Sequence, residues 1–263
     1  LATADPVFCS TEDDLSSGIR DIPSLYTAPV HFYQQFDLAT SYGGPLALLV
    51  VLLAAAGYAV VFSGLIGRSV DISTEKSLAL IERTSVGEVK RDELDDRLRT
   101  AREAAVFWKV LASGASVLQG PIETLGRIFL GAAVAFVAVA MSGRKPAYHG
   151  LVSILTFAAY VEVLRQAVVV PLMISLHSVE VETSLAVLLR GRPEASAWLY
   201  AGLQAVDPFS LWFYALAAIG ISRSGQLSTR GAVFLSILLW AGAAGLRTGT
   251  VWLVDSLGGE VTI

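Results

Sequence analysis

The feature that most constrains this chain is a set of apolar runs too long and too free of charge for the core of a soluble domain. Residues 45–67 are 23 consecutive positions without Asp, Glu, Lys or Arg, enough helix to cross a hydrocarbon layer about 30 Å thick. Four more apolar segments follow, at 121–142, 148–176, 208–222 and 231–254. A helix satisfies its own backbone in lipid, which makes it the natural form for such segments. The pattern predicts an all-α polytopic membrane helix bundle with about five transmembrane helices. The run at 208–222 is short for a full span. It either recruits the preceding 195–206 stretch or crosses a thinned part of the bilayer.

Charge makes the same point by where it is missing. Hydrophobic residues are 54% of the 263 and charged residues 16%, against roughly 25% charged in soluble domains. Disorder, collagen and disulfide scaffolds are excluded, and the lone Cys9 closes no intramolecular bridge. With a net charge of −4 and no strongly basic stretch, nucleic acid is not an expected partner; the lipid bilayer is.

Nine basic and nine acidic residues fall within 68–109. Leu94, Leu98, Ala101, Ala105 and Trp108 recur there at helical spacing, an apolar stripe on a charged helix. The expectation is a charged extramembrane helical hairpin filling 68–120, after a first transmembrane helix at 45–67. Leu94, Leu98 and Trp108 are its candidate partner-binding residues; the alternative is a solvated hairpin packing on itself. Pro121 suits a helix-opening position, with Glu123 and Arg127 spaced i,i+4 in the first turns. Residues 121–254 then hold the rest of the transmembrane domain and 255–263 a tail.

Residues 1–44 are polar and proline-broken, with no apolar signal-peptide core in the first 40. Phe32, Tyr33 and Phe36 suit an interfacial helix before the first span. A second interfacial segment is expected at 178–206, where Thr183-Ser184 caps the short apolar stretch 185–189. The loops 143–146 and 223–230 carry two basic residues each, which places both, and the amino terminus, on the cytoplasmic side. The nine basic residues of the hairpin argue the reverse.

Charges inside a membrane are costly, so Glu162 and Arg165 are the first candidates for function. Their spacing puts them on one helical face near the middle of the third span. They serve either an ion, proton or substrate path or as a neutralising pair that fixes packing. Arg247, inside the fifth span, snorkels to headgroups or pairs with Glu162 or Asp255. His31, His149 and His177 are isolated, and His177 with Glu180 and Glu182 matches no specific ligand pattern, so no metal and no cofactor is expected. The Gly245–Gly249 small-residue row reads as helix packing. No nucleophile, zinc-peptidase or phosphate-loop motif occurs, so no catalytic residue is assigned.

The stretch Leu203-Gln204-Ala205-Val206-Asp207-Pro208-Phe209-Ser210-Leu211-Trp212, with an apolar run reaching Gly220, resembles the bacterial branch of the Yip domain family. These are five-span proteins related to eukaryotic Rab-interacting membrane proteins. Asp207, Phe209, Trp212 and Gly220 match the family's pattern, and Ala28-Pro29-Val30-His31-Phe32-Tyr33 is similar to its amino-terminal segment. The charged hairpin looks like an insertion, and the eukaryotic Tyr-Gly-Pro signature is absent, so Rab binding is not carried over. The resemblance implies a non-catalytic scaffold or accessory subunit of the bacterial inner membrane. Its partners would be other membrane protein subunits, such as an ABC exporter or another large complex. Asp207 would cap the fourth span, with Phe209 and Trp212 as anchors. The alternative is a transport or ion-conducting component using Glu162, Arg165 and Arg247.

Overall fold

The structure, a computed structural model, describes residues 22–29, 33, 42–85, 91–179, 181–189 and 197–258. Among these it is helical, without strands. The helices are α1 (Ile22–Thr27), α2 (Gly43–Phe62), α3 (Leu65–Ser85), α4 (Arg91–Met141), α5 (Tyr148–Ala158), α6 (Tyr160–Leu176), α7 (Ala197–Gln204), α8 (Pro208–Arg223) and α9 (Thr229–Gly258). A 3₁₀ turn, Leu185–Leu189, lies between α6 and α7. Four segments are long and apolar enough to cross a membrane: Gly43–Phe62, Leu98–Met141, Tyr148–Leu176 and Thr229–Val254. The pair α7–α8, bent by 48°, makes a fifth if counted as one broken span. The stretch before the short fourth run is thus helical over Ala197–Gln204.

Two compact units share the long helices: residues 1–50, 124–162 and 182–263 form one, and 51–123 with 163–181 the other. In the second unit α2 and α3 run antiparallel to α4. The backbones of α2 and α4 meet at Gly57, where a Cβ would overlap the Ser116 carbonyl oxygen. Farther along, Lys109 and Asp71 form an ion pair at 2.6 Å. The first apolar run does not continue as one helix to residue 67: Gly64, at φ +75°, turns the chain between α2 and α3, a conformation that glycine reaches without a Cβ clash.

The proline expected to open the second span lies inside α4 instead. Proline costs about 3 kcal/mol in a helix interior, but helix-forming sequence and packing on both sides carry the helix through it. The second arm of the hairpin is thus continuous with the span, one helix of 51 residues.

In the first unit α5 is the central helix. Nine consecutive residues, Gly150 to Ala158, are buried in a segment without charge. It packs against α8, which buries Phe213, Tyr214, Leu216 and Ile221. Gly131 on α4 meets Leu155 of α5, 3.2 Å from where its own Cβ would sit. The third span is interrupted at one residue: α5 stops at Ala158 and α6 starts at Tyr160, with Ala159 between them still in right-handed helical conformation.

Of the aromatic amino-terminal segment, the structure describes residues 22–29 and Tyr33. Tyr33 is 2% exposed and Leu25 fully buried. Tyr33 Oη donates to the Ile154 carbonyl at 3.3 Å, and Tyr26 Oη donates to the Tyr160 carbonyl at 2.7 Å. The break after α5 and the α5–α8 seam hold a tyrosine each because a ring fills apolar space while its hydroxyl finds an acceptor. Phe32 and Phe36 lie outside the described residues.

Candidate functional site

The one-residue interruption at Ala159 puts Glu162 in the first turn of α6, its own N–H donating to the Ala159 carbonyl at 2.9 Å. The cation set beside it comes from α4: Arg127 Nη1 lies 3.9 Å from Glu162 Oε2. Both side chains are mostly buried, and the Arg127 guanidinium sits 5.6 Å from the centre of the Phe213 ring on α8. A planar cation over an aromatic face gains a further electrostatic contact as it leaves water. Three elements, α4, α6 and α8, thus meet at one ion pair. Arg165 lies on α6 in the second unit and is half-buried.

Arg247 is exposed on α9. It follows Arg230 by about 25 Å of helix at 1.5 Å per residue. Among the described residues no ion pair joins Arg247 to Glu162, and the Asp255 side chain lies outside them. The row at Gly245 and Gly249 has nothing within 4 Å of either added Cβ, so this row makes no tight helix contact among the described residues.

The second polar centre surrounds the break between α7 and α8. Asp207 occupies the N-cap position of α8 with extended backbone and Pro208 following, but its side chain makes no capping bond. It is 5% exposed and accepts from Thr183 Oγ1 at 3.2 Å. Proline's lack of an N–H leaves fewer donors to cap. The carbonyls freed by the break are occupied: Trp240 Nε1 of α9 donates to Ala205 O at 3.0 Å, and Leu185 N donates to Val206 O at 3.1 Å. Ser184 Oγ caps the 3₁₀ turn through the Ala186 N–H at 3.1 Å, so the expected Thr183-Ser184 cap is made by the serine.

Glu182 is the hub beside this break. It accepts from Ser184 Oγ at 2.6 Å, Tyr200 Oη at 3.0 Å and Gln204 Nε2 at 3.1 Å. Partial desolvation pushes its pKa up, but the hydrogen bonds from Ser184, Gln204 and Tyr200 outweigh it and hold the carboxyl below its ordinary range. Of the remaining motif residues, Phe209 is half-buried, and Trp212 packs edge-on against Tyr26 with ring centres 6.0 Å apart. Trp212 is therefore in contact with protein rather than serving only as an interface anchor.

Among the described residues no group of three or more His, Cys, Asp or Glu could hold a metal. His149 stacks against Tyr42, ring centres 4.7 Å apart, and His31 and Glu180 lie outside the described residues. Leu98 on α4 is half-buried and Trp108 exposed, while the Leu94 side chain lies outside them.

Sequence reasoning passed over Arg127 as the partner of Glu162, and Glu182 as a hub. The signals were present. Arg127 is the one basic residue of the second apolar run, and Tyr200 and Gln204 stand i,i+4 on one face. No protein family, curated protein or solved structure matches the chain.

Proposed function

We propose that this chain is a non-catalytic integral membrane protein that scaffolds or accompanies a larger complex, as its resemblance to bacterial Yip domain proteins implies. The observation that carries this reading is the pairing of the polar groups at Glu162 and at the α7–α8 break, both within the first unit. Glu162 faces Arg127, and the carbonyls opened between α7 and α8 accept from Trp240 and Leu185. Transporters place unwound backbone and charges where an ion or substrate can use them, and here protein donors take them. The open groove of about 420 Å³ between α4 and α9 is lined by Ala133, Val134, Val137, Ala138, Met141, Leu235 and Leu238. It suits a lipid chain or an apolar helix rather than an ion.

On this reading the protein belongs to the cytoplasmic membrane with its amino terminus inside. The charged ends of α3 and α4 are the part available to a partner outside the bilayer. Affinity purification in mild detergent tests it: companion membrane subunits should co-purify in fixed ratio, and recovery as a lone monomer would count against it. Reconstituted into vesicles, the double variant Arg127→Met with Glu162→Gln should leave ion flux unchanged. A flux lost in a correctly assembled double variant would favour a conducting role.

A further inference from the structure

The outward face of α4 changes chemistry abruptly while its backbone stays the same. Arg99, Arg102 and Glu103 are exposed, with Arg99 and Glu103 paired at 3.0 Å. Within two turns the same helix exposes Val106 (65%), Phe107 (63%) and Val110 (70%). A contiguous exposed apolar surface is rare on a protein in water, whereas in lipid it is the expected surface. Beyond Glu103 the one charge before Glu123 is Lys109, and it is neutralised by Asp71 at 2.6 Å.

The antiparallel neighbour changes at the same level. Tyr58 and Phe62 are exposed near the end of α2, and Ser63, Arg68 and Asp71 follow at once. With Gly57 against Ser116, Phe62 lies level with about residue 111 of α4, within a turn of Trp108. Both boundaries carry aromatic pairs: Tyr58 with Phe62 at 6.3 Å, and Phe107 with Trp108 at 5.7 Å. Tyrosine and tryptophan concentrate at the two faces of a bilayer, where an apolar ring and a polar O–H or N–H are both accommodated, and Phe62 and Phe107 lie against them.

We propose that this level is a membrane–water boundary of the second unit. Tyr58, Phe62, Phe107 and Trp108 sit in the lipid headgroup layer, and α4 enters the bilayer near Val106 rather than at Pro121. The occupant of the exposed aromatic face is thus lipid. Trp108 serves as a bilayer anchor, and the water-facing hairpin ends at Glu103, about 27 Å of helix before Pro121 at 1.5 Å per residue.

The test uses the full chain in phosphatidylcholine vesicles, with Cys9 replaced by serine and one cysteine placed at Thr100 or Val110 for a spin label. The label at Thr100 should collide mainly with a water-soluble nickel chelate and the label at Val110 mainly with oxygen, so the ratio inverts between them. Dominance of nickel at both positions, or shielding of Val110 from both reagents by a protein, would overturn the proposal. A second measurement keeps the native ring: in a variant whose other tryptophans are phenylalanine, Trp108 emission should be quenched by lipids brominated high on their chains. Quenching by aqueous iodide alone, or by neither reagent, is the opposing result.

Discussion

At Gly220 the absence of a side chain lets three elements meet. A Cβ there would overlap Ile154 of α5 and come within 2.9 Å of the Tyr33 ring. Gly220→Ala is therefore expected to lower stability by about 1–3 kcal/mol, the usual cost of overpacking, read as a lower midpoint for thermal unfolding in detergent. The sequence placed Gly220 in a family-like pattern but could not tell that a tyrosine far upstream would lie against it. Arg127 teaches the same lesson with charge. Arg127→Met alone leaves Glu162 without this cation and should cost about 1–3 kcal/mol. Adding Glu162→Gln should recover much of that loss, and a double-mutant cycle without coupling would exclude the pairing.

At the level of elements, helix ends and breaks were the hardest features to read from sequence. Residues 148–176 are uniformly apolar around Glu162 and Arg165, so nothing local distinguishes one helix from two. The interruption at Ala159 is accompanied by long-range bonds, from Tyr26 to the Tyr160 carbonyl and from Tyr160 Oη to Pro45 O at 2.7 Å. The bend between α7 and α8 was better marked, since Asp207-Pro208 is a helix start wherever it falls.

That bend carries a pH dependence. Glu182 titrates below its ordinary range, so its carboxylate favours the folded state. Its contribution is fully present above the unfolded-state pKa near 4.5 and is lost as pH falls through the lower folded value. Acidification should loosen the 3₁₀ turn and α7, seen as faster amide exchange in 182–207. Glu182→Gln should remove that acid-dependent step. If exchange in the wild-type segment is unchanged across this range, Glu182 is not a hub.

For the whole molecule, the two basic loops that the sequence assigns to one side are joined in the structure. Arg144 donates to the Gly225 carbonyl, and Gln226 exchanges hydrogen bonds with the Ala147 backbone at 3.4 and 3.5 Å. Lys145→Cys and Ser228→Cys, each in a Cys9→Ser background, should therefore react with a membrane-impermeant maleimide from the same side of sealed vesicles. Labelling from opposite sides would contradict that topology. The result is independent of which side is cytoplasmic, and comparing inside-out with right-side-out vesicles adds that assignment.

The sequence by itself determined the all-helical class and the apolar segments able to cross a membrane, because both follow from local properties: charge-free length and helical backbone satisfaction. It also determined that few charges would be left within those segments. Only the tertiary structure decided that Glu162 faces Arg127 and that Tyr33 packs against Gly220. It likewise decided that α4 runs through Pro121 and that Asp207 bonds Thr183 instead of capping its helix. Each of those outcomes joins residues distant in the chain, or sets a local preference against packing, and in apolar surroundings a polar group takes the partner that the fold brings within reach.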